Sequence, residues 1–190
     1  MQTSPSLRRY PNILLTGTPG VGKTILSEAV INSLKEKFNL TNYVYLNVSE
    51  IAKKEQFLEE YDEERDTHVL DEDKLLDYLE EQLSDMEKGY ILDYHSSELF
   101  PERWIDYVIV LRCETNILFQ RLQKRGYADK KVQENVDCEI FQVCLDEAVE
   151  SYKPEIVFEK QNCTILDLNN NAEFIVGLIQ NKLQQQSNNC

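Results

Sequence analysis

The sequence has no run of 18 apolar residues, and residues 1–10 carry Arg8 and Arg9 without the apolar stretch a secretory leader needs. Membrane spanning and secretion are therefore not expected. Cysteine occurs five times, as Cys113, Cys138, Cys144, Cys163 and Cys190, with no C-x-x-C pair and no Cys/His ligand spacing. A reduced intracellular chain is the simplest account of that usage. Positive charge is scarce, with 20 Lys and Arg against 34 Asp and Glu, a formal net of −14. Such a surface repels phosphate backbones, so no direct binding of nucleic acid is expected. No internal repeat or low-complexity block is present.

What is present suits one domain over residues 1–190: 42% hydrophobic content is enough for a real core at this length. The negative charge is local. Residues 50–88 hold 16 acidic and 5 basic residues, a net of −11. Two readings stand for this segment: a solvated helix face, or an attraction for a basic protein.

The densest signal is Gly17-Thr18-Pro19-Gly20-Val21-Gly22-Lys23-Thr24, which fits G-x-x-x-x-G-K-[ST]. It follows the apolar run Ile13-Leu14-Leu15 and precedes Ile25, Leu26, Ala29, Val30, Leu34 and Phe38 at helical spacing, the strand–loop–helix context the motif requires. Successive backbone N–H groups in such a loop face a phosphate, Lys23 reaches the β- and γ-phosphates, and the Thr24 hydroxyl is left for Mg²⁺. Gly17, Gly20 and Gly22 permit close backbone approach, and the helix N-terminus adds partial positive charge. The motif predicts a nucleoside-triphosphate site.

Further along, residues 43–48 read as a strand, and Ser49 could cap a short helix to Phe57. Residues 58–73 read as an acidic surface excursion. Asp71 or Asp73 then caps a helix with Leu75, Leu76, Leu79, Leu83 and Met86 as its stripe. Residues 90–94 and 105–111 read as strands. Thr115 reads as the cap of a helix bearing Leu118, Phe119 and Leu122. One long helix is expected from Val132 to about Tyr152, a last strand at 163–168, a closing helix at 172–183 and a frayed polar tail at 184–190. Five strands alternating with helices predict an α/β fold of three layers: a five-stranded parallel sheet covered by helices on both faces, with the ligand beyond the strand C-termini.

Several residues could carry chemistry there. Asp93 ends an apolar strand, where a carboxylate can hold Mg²⁺ directly or through water; its other reading is a turn or helix cap. His95 could orient an attacking water or stabilise a leaving group, and a structural hydrogen bond is an equal alternative. Phosphoryl transfer needs cationic clamps, and residues 121–131 form a net +4 island in this acidic chain. Arg125, ahead of Gly126, and Arg121 are the candidates, against the plainer reading of basic residues favoured at a helix C-terminus.

The segments GTPGVGKT at 17–24, DYH at 93–95, FPERW at 100–104, RGY at 125–127 and CEIFQV at 138–143 together resemble the adenylate kinase isoenzyme 6 family, also called coilin-interacting nuclear ATPase. The resemblance runs from about Pro11 to Lys153. It implies a P-loop nucleoside monophosphate kinase fold with a monophosphate-binding excursion at 47–70 and a short lid at 124–134. By position, Gly17, Gly20, Val21, Gly22, Lys23, Thr24 and Ile25, with Arg125, would line the ATP site. Asn47, Val48, Lys53 and Leu70 would serve the monophosphate. Lys23, Asp93, His95 and Arg125 would be catalytic, with Mg²⁺ on Thr24 and Asp93. The implied activities are broad-specificity transfer between ATP and AMP or other nucleoside monophosphates, and ATP hydrolysis. The implied setting is nucleus and cytoplasm, in maturation of small-subunit ribosomal RNA with a basic ribosomal protein as partner. The reading in which hydrolysis and partner release come first stays open beside the kinase one. Asn135 and Asp137 stand where ordinary adenylate kinases have an arginine pair, Lys53 stands where relatives often have arginine, and Ser96-Ser97-Glu98 follow the DYH triplet. A shikimate-type small-metabolite kinase shares the phosphate loop but not the DYH and FPERW segments.

Overall fold

Along the chain the strands and α-helices are β1 (Ile13–Thr16), α1 (Lys23–Phe38), β2 (Tyr43–Asn47), α2 (Val48–Lys54), β3 (Leu58–Asp62), β4 (Thr67–Leu70), α3 (Glu72–Leu83), β5 (Gly89–Asp93), β6 (Tyr107–Arg112), α4 (Thr115–Lys124), α5 (Asp129–Ile140), α6 (Val143–Ser151), β7 (Val157–Gln161) and α7 (Ile165–Asn188). This computed structural model describes residues 8–62 and 67–188. Five strands form one parallel sheet in the order β2-β5-β1-β6-β7, and β3 and β4 form a separate antiparallel pair.

The sheet is covered on both faces because its central strand is apolar on both. Ile13 and Leu15 point into a cluster with Leu26, Val30 and Leu34 of α1, Leu118 and Leu122 of α4, and Ile175 and Ile179 of α7. Leu14, one residue out of phase, points the opposite way, onto Leu75 and Leu79 of α3 and Ala148 of α6. Alternation of side chains across a strand thus turns one run of three aliphatics into the seam between two cores. The three-layer α/β expectation and its five parallel strands hold. No helix among the described residues is long and apolar enough to cross a membrane.

Several local expectations are corrected. The last strand is 157–161, not 163–168; Thr164 and Asp167 instead form a reciprocal helix cap, the Thr164 hydroxyl accepting from the Asp167 N–H (3.1 Å) and the Asp167 carboxylate accepting from the Thr164 N–H (2.8 Å). The closing helix therefore starts at Ile165 and runs through Asn188, into the stretch expected to fray. The long helix expected from Val132 to about Tyr152 is two, α5 and α6, separated at Gln142, whose φ is +58°. Helix α2 is capped by Asn47, which accepts from the Glu50 N–H, rather than by Ser49. Thr115 opens α4 without serving as its cap, and the excursion at 58–73 carries the β3–β4 pair. Asp71 caps α3 as its sequence position suggests, accepting from the Lys74 N–H. Part of that excursion, residues 63–66, lies outside the described residues.

Candidate active site

The C-terminal ends of β1, β5 and β2 converge on one cleft. Residues 17–24 leave the central strand and enter α1 directly, so the loop crosses the top of the sheet. Gly17 has φ +132°, and a Cβ there would sit 2.3 Å from the Leu111 carbonyl oxygen, so no other residue fits the crossing over β6. Lys23, the first residue of α1, folds back so that its ammonium donates to the carbonyls of Gly17 (2.6 Å) and Thr18 (3.3 Å). Burial pushes the Lys23 amine below its ordinary value, opposed by Asp93 and aided by the nearby Arg125 charge.

Asp93 closes β5 and is buried between neighbours on both sides, in register with Leu15 of β1 and Asn47 of β2. Its Oδ2 accepts from the Thr24 hydroxyl (2.8 Å) and from the Tyr45 hydroxyl (2.9 Å). The Asn47 amide donates to Tyr45 in turn (3.2 Å). Thr24 and Asp93 therefore present two hard oxygens side by side next to a phosphate-binding loop. That set suits Mg²⁺, which takes one or two protein oxygens and completes its shell with phosphates and water. Among the described residues no group of three or more His, Cys, Asp or Glu could hold a metal ion, so phosphate oxygens would have to supply the rest.

His95 stands at the rim two residues beyond Asp93, its backbone carbonyl accepting from the Thr16 hydroxyl (3.0 Å). Although the ring is solvent-accessible, desolvation by the cleft walls and then the Lys23 charge push its imidazole down to about 4, against the pull of Asp93. At neutral pH it is uncharged and able to accept a hydrogen bond.

On the other side of the loop lies a cavity of about 460 Å³, lined by Gly20, Gly22, Ile25, Arg125, Ile165 and Leu168 among others. The C-terminal end of α4 and the N-terminal turn of α7 form its walls. Arg125 is exposed at this mouth, immediately before Gly126, whose φ is +76° and around which no atom lies within 4 Å of an added Cβ. Arg121 lines the same cavity, with its guanidinium already engaged: it donates to the carbonyls of Asn162 (3.1 Å) and Cys163 (2.6 Å), with longer contacts to those of Gly20 and Val21, and so braces the loop. Asn162, buried, adds a bond to the Val21 carbonyl (2.8 Å).

The excursion residues differ in what they can offer a ligand. Asn47 shares the Asp93 network, Val48 is fully buried and can offer a ligand only its backbone, and Lys53 is exposed in the last turn of α2. Leu70 packs on the second core cluster. Tyr45, Asn162 and Glu139 belong to the site and went unremarked in the sequence. For Tyr45 a signal existed, since period-two alternation places it on the same face of β2 as Asn47; Glu139 lies within the CEIFQV segment, which marks the family but not the contact, and Asn162 carries no signal. The described cysteines are all free thiols, and burial pushes Cys144 up to about 11 and Cys113 up to about 12, so both are neutral.

A phosphate loop after the central strand of a parallel sheet, a carboxylate at the end of the adjacent strand and cations at the mouth define a P-loop phosphotransferase. A family model described as an AAA domain matches residues 13–142. The adenylate kinase isoenzyme 6 homologue of Caenorhabditis elegans is 46% identical over 175 residues, covering 92% of this chain and 92% of its own length. That of Saccharomyces cerevisiae is 47% identical over 179 residues, covering 94% and 87%. A gluconokinase from Sinorhizobium meliloti aligns with a TM-score of 0.53 at 14% identity, over 94% of this chain and 98% of its own, and shares the fold alone. The chain belongs to the adenylate kinase isoenzyme 6 family, and is a nucleotide kinase or ATPase.

Proposed function

We propose that the protein is a broad-specificity nucleoside monophosphate kinase, transferring the γ-phosphoryl group of ATP to AMP to give two ADP, with ATP hydrolysis as a second outcome at the same site. The observation that carries this reading is the two-sided layout around the phosphate loop. A nucleoside-sized cavity opens on the α4/α7 side, while the Tyr45–Asn47–Asp93 network and α2 line the other, leaving Lys23 between them. ATP in the cavity would direct its terminal phosphate toward β2 and α2, where an acceptor phosphate can meet it in line.

Phosphoryl transfer is mostly positioning and charge stabilisation. Lys23 would exchange the Gly17 and Thr18 carbonyls for β- and γ-phosphate oxygens. Arg125 swings over the transferred group about Gly126. Thr24 and Asp93 would hold Mg²⁺, which when bound neutralises charge building on the β- and γ-oxygens. Lys53 offers the acceptor a point charge instead of a bidentate fork, consistent with loose discrimination among monophosphates. Where no acceptor is bound, neutral His95 can accept a proton from a water entering the same position.

A second reading has its own observation. Helix α3 turns Glu72, Asp73, Glu80 and Glu81 outward within the acidic segment, a face suited to a basic protein. Here the chain is an ATPase that binds and releases a basic small-subunit ribosomal protein during 18S rRNA maturation, in nucleus and cytoplasm, with kinase turnover minor. The test is steady-state turnover with Mg-ATP alone and with AMP, measuring ADP and free phosphate separately, in wild type and Lys23→Ala. AMP-stimulated ADP formation without phosphate release, abolished in Lys23→Ala, supports the kinase. Phosphate release indifferent to AMP supports the ATPase.

A further inference from the structure

We propose that Glu139 is a positioning residue for the phosphate loop, tying it to the helix that follows the lid. The proposal rests on ATP being bound at residues 17–24. Glu139 lies in the last turn of α5, 14 residues beyond Arg125, and is 3% exposed. Its Oε2 accepts from the Thr18 hydroxyl at 2.6 Å. Its Oε1 accepts from Arg112 Nε at 2.6 Å and from the Cys113 N–H at 3.1 Å, while its backbone carbonyl accepts from Arg112 Nη2 at 2.9 Å. One carboxylate therefore joins the end of β6, the phosphate loop and α5.

The bond to Thr18 is the one a merely structural ion pair would not need. Arg112 and Cys113 already satisfy the carboxylate's charge, and Arg112 has a second partner in Glu159 (3.1 Å). Thr18 is 1% exposed, and its carbonyl accepts both from Lys23 and from the Val21 N–H (3.3 Å). Anchoring its hydroxyl fixes the peptide on which Lys23 rests, so loop shape is set by α5. Residue 19 is proline and donates no N–H, so the side chain of Thr18 is the tether available at this corner. The same bond ties the loop to the far end of the helix whose near end carries the lid turn. A lid displaced about Gly126 then pivots on an anchored helix, and its closure is registered at the phosphates.

Thr18→Val exchanges the hydroxyl for a methyl group and leaves the Arg112–Glu139 pair in place. It is compared with Thr18→Ser, Glu139→Gln and the double variant Thr18→Val/Glu139→Gln, using dissociation of a fluorescent ATP analogue, kcat and KM for Mg-ATP, and thermal midpoint. Loss of a hydrogen bond to a buried charged group predicts about a tenfold fall in analogue affinity and in kcat/KM for Thr18→Val. Thr18→Ser should lie within about twofold of wild type, and the Thr18→Val penalty should shrink to about twofold in the Glu139→Gln background, because the neutral amide leaves the hydroxyl only an uncharged partner there. Wild-type analogue affinity and kcat/KM in Thr18→Val, or an undiminished effect when Glu139 is already Gln, overturns the proposal. Affinity for the analogue reads the loop without turnover, so a wild type that binds it but forms neither ADP nor phosphate refutes the kinase and ATPase readings and leaves this test standing.

Discussion

Removing one hydroxyl, by Tyr45→Phe, should separate metal-linked catalysis from simple nucleotide binding. Tyr45 and Thr24 both donate to Oδ2 of Asp93, at 2.9 and 2.8 Å. On the proposed Mg²⁺ role, Thr24 would give its oxygen to the cation and Tyr45 would be left to hold that carboxylate oxygen. Burial first, with Asp93 adding, pushes the Tyr45 phenol up to about 12, so it remains a donor throughout any practical assay range. A hydrogen bond to a charged group contributes about 1.5–3 kcal/mol, and the half-buried setting of Tyr45 puts this one at the lower end. About 1.4 kcal/mol is a factor of ten, so kcat/KM for Mg-ATP should fall about tenfold. The assay is ADP formation over a Mg²⁺ titration at fixed nucleotide, in wild type, Tyr45→Phe, Asp93→Asn and the double variant. The Mg²⁺ activation midpoint should rise in Tyr45→Phe, and the effect should disappear once Asp93 is Asn. A change below twofold with an unmoved Mg²⁺ midpoint, or an equal loss in both backgrounds, refutes the role given to Tyr45.

Gly17→Ala should lower the urea unfolding free energy by about 2–4 kcal/mol, because the new Cβ meets the Leu111 carbonyl and the backbone is left-handed. Gly126→Ala meets no atom within 4 Å, so its cost should stay near the backbone term of about 1 kcal/mol, while kcat should fall if Gly126 is the hinge proposed for Arg125. For His95 the folded pKa, about 4, lies below its unfolded value, so the unfolded chain takes up the proton first as pH drops through about 6.5. Stability should therefore decline between about pH 6.5 and 4, and His95→Gln should remove that part of the decline. A fully desolvated imidazole would contribute about 3 kcal/mol over this range, and the exposure of this ring reduces the expected figure to about 1 kcal/mol. Chemical denaturation at a series of pH values measures it.

Local signals in the chain reported the centre of the site well and its supports poorly. The stretch 12–38 names its own structure, since an apolar run, a glycine loop and helical spacing follow one another within 27 residues. Strand β7 was misplaced because Val157-Phe158-Glu159-Lys160-Gln161 is an edge strand with polar residues, while the nearby Cys163–Leu168 run is richer in aliphatics. Its Thr164/Asp167 pair was the cap signal that should have outweighed them. No glycine or proline marks the break at Gln142, so periodicity alone joined α5 to α6. Arg121 and Arg125 look alike in sequence, and only the carbonyls of the 162–163 turn, supplied from about forty residues downstream, make one a brace and leave the other at the mouth.

The resting place of Lys23 bears on how nucleotide leaves. The ammonium sits on two carbonyls of its own loop, which are partners it can trade for phosphate oxygens. On the phosphate-binding role proposed for Lys23, nucleotide arrival would be an exchange of partners by an amine that is already desolvated. Departure would run the same exchange backward: as a phosphate loosened, carbonyls already in reach would compete for the lysine. A strong grip on the transferred group would thereby be compatible with quick release of product.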